Sequence, residues 1–382
     1  MGADMMGEQQ LVVRFVTPAF LGDAEQKGAW RTPPFKALLR QWWRVAAAPR
    51  CGYDHIRLRE DEGRLFGHAW LKDNGKAWSL GSRLHLRLDG WRPGQLERWP
   101  PDPQVQHPEV GEGGRAVGSH LYLGYGPLVF EKGAGTKLKV APAIAADEQA
   151  TLALAYPERL RGEFSAMFQL IAWFGTVGGR SRNGWGSLEL TGDGVKGLDH
   201  LRRDDPLLSR VSRPLEDCLR LDWPHALGSD SRGLLVWRTK GSEKSWGDTM
   251  KTLAEVKIAY RTSFPFDNNR DAGNPVFESR HLLAYPVTNH GVVDWSDREE
   301  KTGNPRLTKR GTLRQTDRLA NQLRFKVLHG SSGYVGIIAH LPCGLPDLLG
   351  SRLQPRPSVD HQLEVWRKVH SILDARSDLQ RV

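Results

Sequence analysis

The residues best suited to chemistry lie in one loop, Gly175 to Gly186, which reads G-T-V-G-G-R-S-R-N-G-W-G. Five glycines, two arginines and a tryptophan share twelve positions between two apolar segments. Glycine tolerates positive φ and has no Cβ, so backbone N–H groups in such a loop can converge on phosphate oxygens. Arg180 and Arg182 add charged forks that match phosphate geometry. Two nucleotide-binding motifs are excluded: no Lys-Ser/Thr follows the last glycine, and there is no G-x-G-x-x-G. The open alternatives are a phosphate chain held by shape and charge, or a tight solvated turn between a helix and a strand.

A second basic feature precedes it. Lys36, Arg40 and Arg44 fall four residues apart in a segment where Phe35, Leu38, Leu39, Trp42, Val45 and Ala46 recur at helical spacing behind Pro33 and Pro34. Like charges at this spacing repel by a few tenths of a kcal/mol, roughly the size of one i,i+4 pair, and an anion along the face would remove that cost. A solvated basic face is the alternative.

Catalytic signatures are missing from the linear sequence. Thirteen histidines include no H-E-x-x-H and no His-Asp dipeptide, and no G-x-S-x-G marks a nucleophile elbow. Neither a metal site nor a cofactor is expected. The acidic pairs Asp204-Asp205 and Glu299-Glu300 read as solvated. A metal-free ribonuclease would need only a His or Lys pair at a 2′-hydroxyl, for which His55, His68 or His281 could serve.

The elements that must position these residues fall into two sets. At 382 residues the chain has room for two domains. In the first, strands are expected at Gln10–Pro18, at Ser82–Leu88 with Arg83, His85 and Arg87 outward, at Leu121–Phe130 and at Trp185–Leu190. Helices are expected from Pro34 and over Phe164–Trp173, and residues 91–119 should be an irregular excursion rich in Pro and Gly. That order is βαββαβ, an α+β ferredoxin-like (RRM-like) pattern, with a first domain of residues 1–192 and a linker over Thr191–Asp205. In the second domain, 193–382, strands are expected at Leu234–Arg238, His281–Val287, Gln322–Leu328 and Tyr334–His340. Helices are expected at Met250–Arg261, with Lys251 and Lys257 off the apolar face, and at His361–Leu373. Large polar insertions surround the middle strand, holding Asp267-Asn268-Asn269 and the basic run Arg306 to Arg310.

Charge narrows the partner. There are 54 Lys and Arg against 44 acidic residues, a net +10 with a pI near 9.6, which favours a polyanion such as nucleic acid. Cys51, Cys218 and Cys343 are far apart, without a C-x-x-C, so neither a disulfide framework nor a zinc site is expected. No apolar stretch approaches a membrane span of about 20 residues, and a reducing cytoplasm is the expected setting. Fourteen tryptophans, several beside Arg or Gly, are compatible with stacking surfaces for bases.

Taken in order, several segments resemble one family. They are Phe15-Val16-Thr17-Pro18-Ala19-Phe20-Leu21-Gly22, the helix Pro34 to Arg44 with its Trp42-Trp43-Arg44, Leu65-Phe66-Gly67, and Gly178-Gly179-Arg180-Ser181-Arg182-Asn183-Gly184-Trp185-Gly186-Ser187-Leu188. Together they resemble the RAMP superfamily of CRISPR effectors, and within it the first-numbered subunit of the type III-B, or Cmr, complex. The match is densest over residues 11–190. Arg318 to Phe325 and Gly333 to Gly336 resemble the family's closing strands more loosely, and residues 264–317 do not align.

The resemblance implies tandem ferredoxin-like RAMP domains that bind RNA without cutting it. It implies a cap on a helical filament near the 3′ end of the guide RNA. There the subunit helps hold target single-stranded RNA beside a second capping subunit, a backbone subunit and the small subunit. Carried over, Lys36, Arg40 and Arg44 would face RNA. Arg180, Ser181, Arg182 and the amides of Gly178, Gly179, Asn183 and Gly184 would hold the sugar-phosphate backbone. Trp43 would stack on a base or belong to the core. A structural adaptor for acidic protein surfaces and a metal-independent RNA-processing endonuclease are the rival functions.

Overall fold

The computed structural model describes residues 5–73, 75–267, 276–287, 290–298, 313–315 and 317–382. Asn268, Asn269, Glu299, Glu300 and the run Arg306 to Arg310 lie outside them.

The first strand, β1 (Met6–Phe15), alternates so that Gly7, Leu11, Val13 and Phe15 face inward. Two prolines at the start of α1 (Thr32–Ala47) supply a preset φ where no intrahelical N–H is needed. The Asp54 carboxylate caps α2 (His55–Phe66), accepting from the N–H groups of Ile56 and Arg57. Next come β2 (His85–Leu88), α3 (Ser119–Gly124) and the hairpin β3 (Leu128–Glu131) and β4 (Gly135–Leu138). They are followed by β5 (Gln149–Pro157), α4 (Arg161–Phe174) and β6 (Leu188–Thr191). The antiparallel sheet runs β6-β1-β5-β2, with Leu11 opposite Leu152. Helices α1 and α4 pack on each other and share this sheet's core.

The second half repeats that wiring. It contains β7 (Val236–Thr239), α5 (Trp246–Thr262), β8 (Leu323–Gly330), β9 (Gly333–His340), α6 (Val359–Ala375) and β10 (Leu379–Arg381). Its antiparallel sheet runs β8-β9-β7-β10. Ser245 and Ser358 cap α5 and α6 by accepting from the N–H groups of Asp248 and His361. Taking only the strands of the two four-stranded sheets with helices α1, α4, α5 and α6, the order in each half is strand, helix, two strands, helix, strand, with first and third strands central.

Three expectations are corrected. Leu121–Phe130 is not one strand: residues 119–124 turn into α3 because the distant Asp102 carboxylate accepts from His120 N–H (2.7 Å) and Leu121 N–H (3.0 Å). The sheet's third strand is β5, where Ala150, Leu152, Leu154 and Tyr156 alternate inward. Residues 91–119 are not only irregular, since Gln104–His107 pairs with Arg115–Gly118 and Val105 is buried. His281 lies in a single helical turn, Ser279–Leu282, closed by Glu278, and not in a strand.

The halves interlock. Lys196 and Gly197, in the expected linker, are held by Gln169 and Trp173 of α4, and Leu198 and Leu201 are buried. One apolar cluster joins the first sheet to Val236, Leu328, Val335 and Ile337, and the other joins α5 and α6 to Val16, Leu123 and Trp185. The buried Lys326 of β8 donates to the last carbonyls of α4, Ile171 O (2.8 Å) and Ala172 O (2.7 Å), where the helix dipole favours a cation. Among the described residues no helix is long and apolar enough to cross a membrane.

Candidate nucleic-acid interface

The glycine-rich loop sits where the two halves meet. It is pinched at its base by Val177 N–H donating to Gly186 O (3.0 Å). Four of its residues take positive φ: Gly178 (97°), Arg180 (56°), Gly184 (93°) and Gly186 (64°). At Gly186 a Cβ would lie 1.9 Å from Val177 O, so only glycine fits. Much of the backbone serves the turn itself. Gly179 donates to Phe20 O (2.9 Å), Asn183 to Arg180 O (2.9 Å), Gly184 to Ser181 O (3.1 Å) and Gly186 to Pro18 O (2.9 Å). Among the described residues the N–H groups of Gly178, Arg180, Ser181 and Arg182 have no hydrogen-bond partner, and Gly178 and Arg180 are exposed.

Two loop residues expected to touch RNA are structural instead. The Asn183 side chain is a strut between the halves, with Nδ2 donating to Leu123 O (2.7 Å) and Oδ1 accepting from Lys257 Nζ (2.9 Å). Gly184 is buried, and a Cβ there would meet Met250 Sδ at 2.9 Å. Lys257, expected off the apolar face of α5, points inward. Burial, then the charges of Arg261 and Arg180, holds its ammonium well below its ordinary pKa.

The cations around the loop come from both halves. Arg180 lies against Gly126, beside the exposed Tyr125, and burial and then the charge of Arg318 lower its pKa. Arg182 is lowered by burial, and its carbonyl accepts from Phe325 N–H of β8 (3.0 Å). Arg324 of β8 is 6% exposed, and burial followed by the charge of Arg182 pushes it down to about 9. The Gln41 carbonyl oxygen of α1, with the amide turned to suit, accepts from Arg324 Nη1 (2.7 Å) and Nη2 (3.2 Å), while Arg324 Nε has no partner. Trp42 lies under this guanidinium, 6.0 Å from ring centre to charge. Among the described residues no carboxylate is within ion-pair distance of Arg180, Arg182, Arg318 or Arg324. A buried charge normally has a counter-charge, and the buried Arg324 has none among the described residues, whereas Arg180 and Arg318 are exposed.

The stripe on α1 is different. Glu62 of α2, 4% exposed, is gripped by Arg40 Nε (2.6 Å) and by Arg44 through Nε (2.5 Å) and Nη2 (2.7 Å). Burial alone would raise the Glu62 carboxyl, but hydrogen bonds and charges from Arg44 and Arg40 hold it below its ordinary value. The anion sought for this face is therefore already in the chain for two of its three cations. Lys36 has its pKa lowered by burial and by Arg40. Trp43 is 1% exposed and meets Phe66 edge-on at 5.8 Å, so it is core and cannot stack on a base. No hydrogen bond or ion pair joins Lys36, Arg40 or Arg44 to the loop among the described residues.

The three nuclease candidates have unlike settings. His55 is exposed at the start of α2, while His68 is buried edge-on against Trp78. His281 is pushed down to about 4 by burial, and its Nδ1 accepts from Glu278 N–H (2.9 Å). A buried pair that no linear motif marks, His340 Nδ1 and His370 Nε2, is 3.0 Å apart in the second core. Burial pushes both down, His370 to about 3.

No family model and no curated protein matches the chain. Among solved structures it is similar to apo Cmr1 from Pyrococcus furiosus, at 14% identity and a TM-score of 0.41 over 88% of each chain. It is also similar to a chain of the type III-B Cmr-beta complex bound to cognate target RNA, at 12% identity and a TM-score of 0.43. That match covers 96% of this chain and 100% of the other.

Proposed function

We propose that this chain is a non-catalytic RNA-holding subunit of a type III-B CRISPR effector, built from tandem ferredoxin-like RAMP domains. The observation that carries the reading is the cation cluster at the half-to-half seam. Arg180 of the loop meets the charge of Arg318 and Arg182 that of Arg324, with no carboxylate at ion-pair distance among the described residues and with four loop N–H groups lacking partners. For the buried Arg324 a missing counter-charge is costly, and a sugar-phosphate backbone supplies repeated anions at low sequence specificity. The family motifs at Gly178 to Leu188 and Pro34 to Arg44 support the same reading, as does the shared connectivity of the two sheets.

On this reading the subunit works in the cytoplasm as the cap near the guide RNA 3′ end. It holds guide and target single strands and touches the second capping, backbone and small subunits. It brings no cofactor and no bond-breaking chemistry, and base pairing supplies sequence selection. The test is binding of the purified chain to a labelled single-stranded RNA of about 40 nucleotides across a salt series in EDTA, with the slope read by counterion release. Salt-steep, sequence-indifferent binding to intact RNA is expected. Discrete cleavage would replace the holding role with a processing nuclease, and absent binding would favour the adaptor.

A further inference from the structure

Next to the turn against which Arg180 rests is an exposed aromatic, Tyr125, where α3 gives way to β3. It is 68% exposed, although it lies between the buried Gly124 and Leu128. Its neighbour Gly126 has φ of 115°, and a Cβ there would come 3.2 Å from Arg180 Nη2, so the guanidinium rests on the turn. Pro127 lies on the other side, 3.5 Å from where a Gly179 Cβ would stand. The turn and the glycine-rich loop therefore form one surface that carries the exposed Tyr125 and the Arg180 guanidinium. A large exposed ring costs solvation without contributing packing, and beside unpaired cations it matches the plan of single-strand binders: a charged track flanked by an aromatic face.

The geometry points to a nucleotide subsite on this surface: a phosphate held by Arg180, and the adjoining base stacked on Tyr125. This rests on the RNA-holding reading and goes beyond it by assigning a base platform, which was not visible in the glycine-rich motif. Because stacking ignores base identity, the subsite tolerates any sequence but distinguishes a strand with bases from one without.

The full chain is titrated with a labelled single-stranded RNA and with a strand of equal length and charge whose sugars are abasic. Tyr125→Ala should weaken binding of the RNA by about tenfold, within the range for one lost base stack, and leave the abasic strand unchanged. Tyr125→Phe should behave as the parent protein, because the ring and not the hydroxyl is used. Arg180→Ala should weaken both strands alike. If Tyr125→Ala leaves RNA binding intact, or weakens both strands equally, the base platform is overturned. If Arg180→Ala changes neither strand, the phosphate half falls. Failure of the parent protein to bind either strand would instead overturn the RNA-holding reading beneath it.

Discussion

The stripe on α1 and the seam around the glycine-rich loop look alike as sequence, each a short set of cations with apolar residues between. In the folded chain they are opposites. Arg40 and Arg44 close on Glu62, a carboxylate placed by the next helix, so most of that face is neutralised from within. Arg180 meets the charge of Arg318 and Arg324 that of Arg182, with no carboxylate at ion-pair distance among the described residues, and Gln41 and Trp42 pack against Arg324. The difference shows that a basic patch becomes a candidate ligand site through its missing counter-charges and not through its count of arginines.

The most severe way to break the contrast is to deform the loop. Gly186→Ala places a Cβ against Val177 O at a positive φ and should cost about 3 kcal/mol or more, read by chemical denaturation. A loss under about 1 kcal/mol would show that the loop is plastic and the seam not preorganised.

Next is the counter-charge. Glu62→Gln should destabilise by about 2 kcal/mol, below the usual cost of breaking a buried ion pair because both arginines keep some solvent. It should also tighten RNA binding by freeing Arg40 and Arg44. The folded-state pKa of Glu62 lies below its ordinary 4.5. The carboxylate's contribution is therefore full above that value and is lost as pH falls through the folded one. The stability gap between parent and variant should close only in that acid window, and a gap that persists there would mean Glu62 acts through packing alone.

The direct comparison is Arg180→Ala with Arg182→Ala against Arg40→Ala with Arg44→Ala. The loop pair should lose roughly 1 to 3 kcal/mol of RNA affinity at moderate salt, the range for charge-assisted contacts, and reduce the salt slope. The helix pair should change affinity much less. Equal losses would erase the distinction drawn between the two regions.

The smallest expected effect has the opposite sign. Arg324→Met removes a buried, unpaired charge and should leave the free protein as stable as before, or more so by about 1 kcal/mol.

How much of this could be read beforehand differs by element. Helix α1 follows from spacing, because one face of it is buried and the periodicity records that face, while α4 and β9 are legible as apolar runs and β8 as an alternating strand, all three buried almost throughout. Helix α3 was hidden because its cap, Asp102, is 17 residues upstream of Ser119. The loop was legible as a candidate site but not in its division of labour. Asn183 is consumed by Leu123 and Lys257, while Arg324 and Lys326 sit on a strand whose alternation suggests an outward polar face, yet both are buried.

Composition and local pattern were enough to establish a basic α+β chain, its main helices and a glycine-rich loop that only glycine can fold, because these depend on charge totals, periodicity and φ. Which cations stay unpaired was decided by tertiary structure alone. A counter-charge such as Glu62, or its absence around Arg324, depends on residues brought within a few ångströms from far apart in the chain, and no short-range pattern encodes that distance.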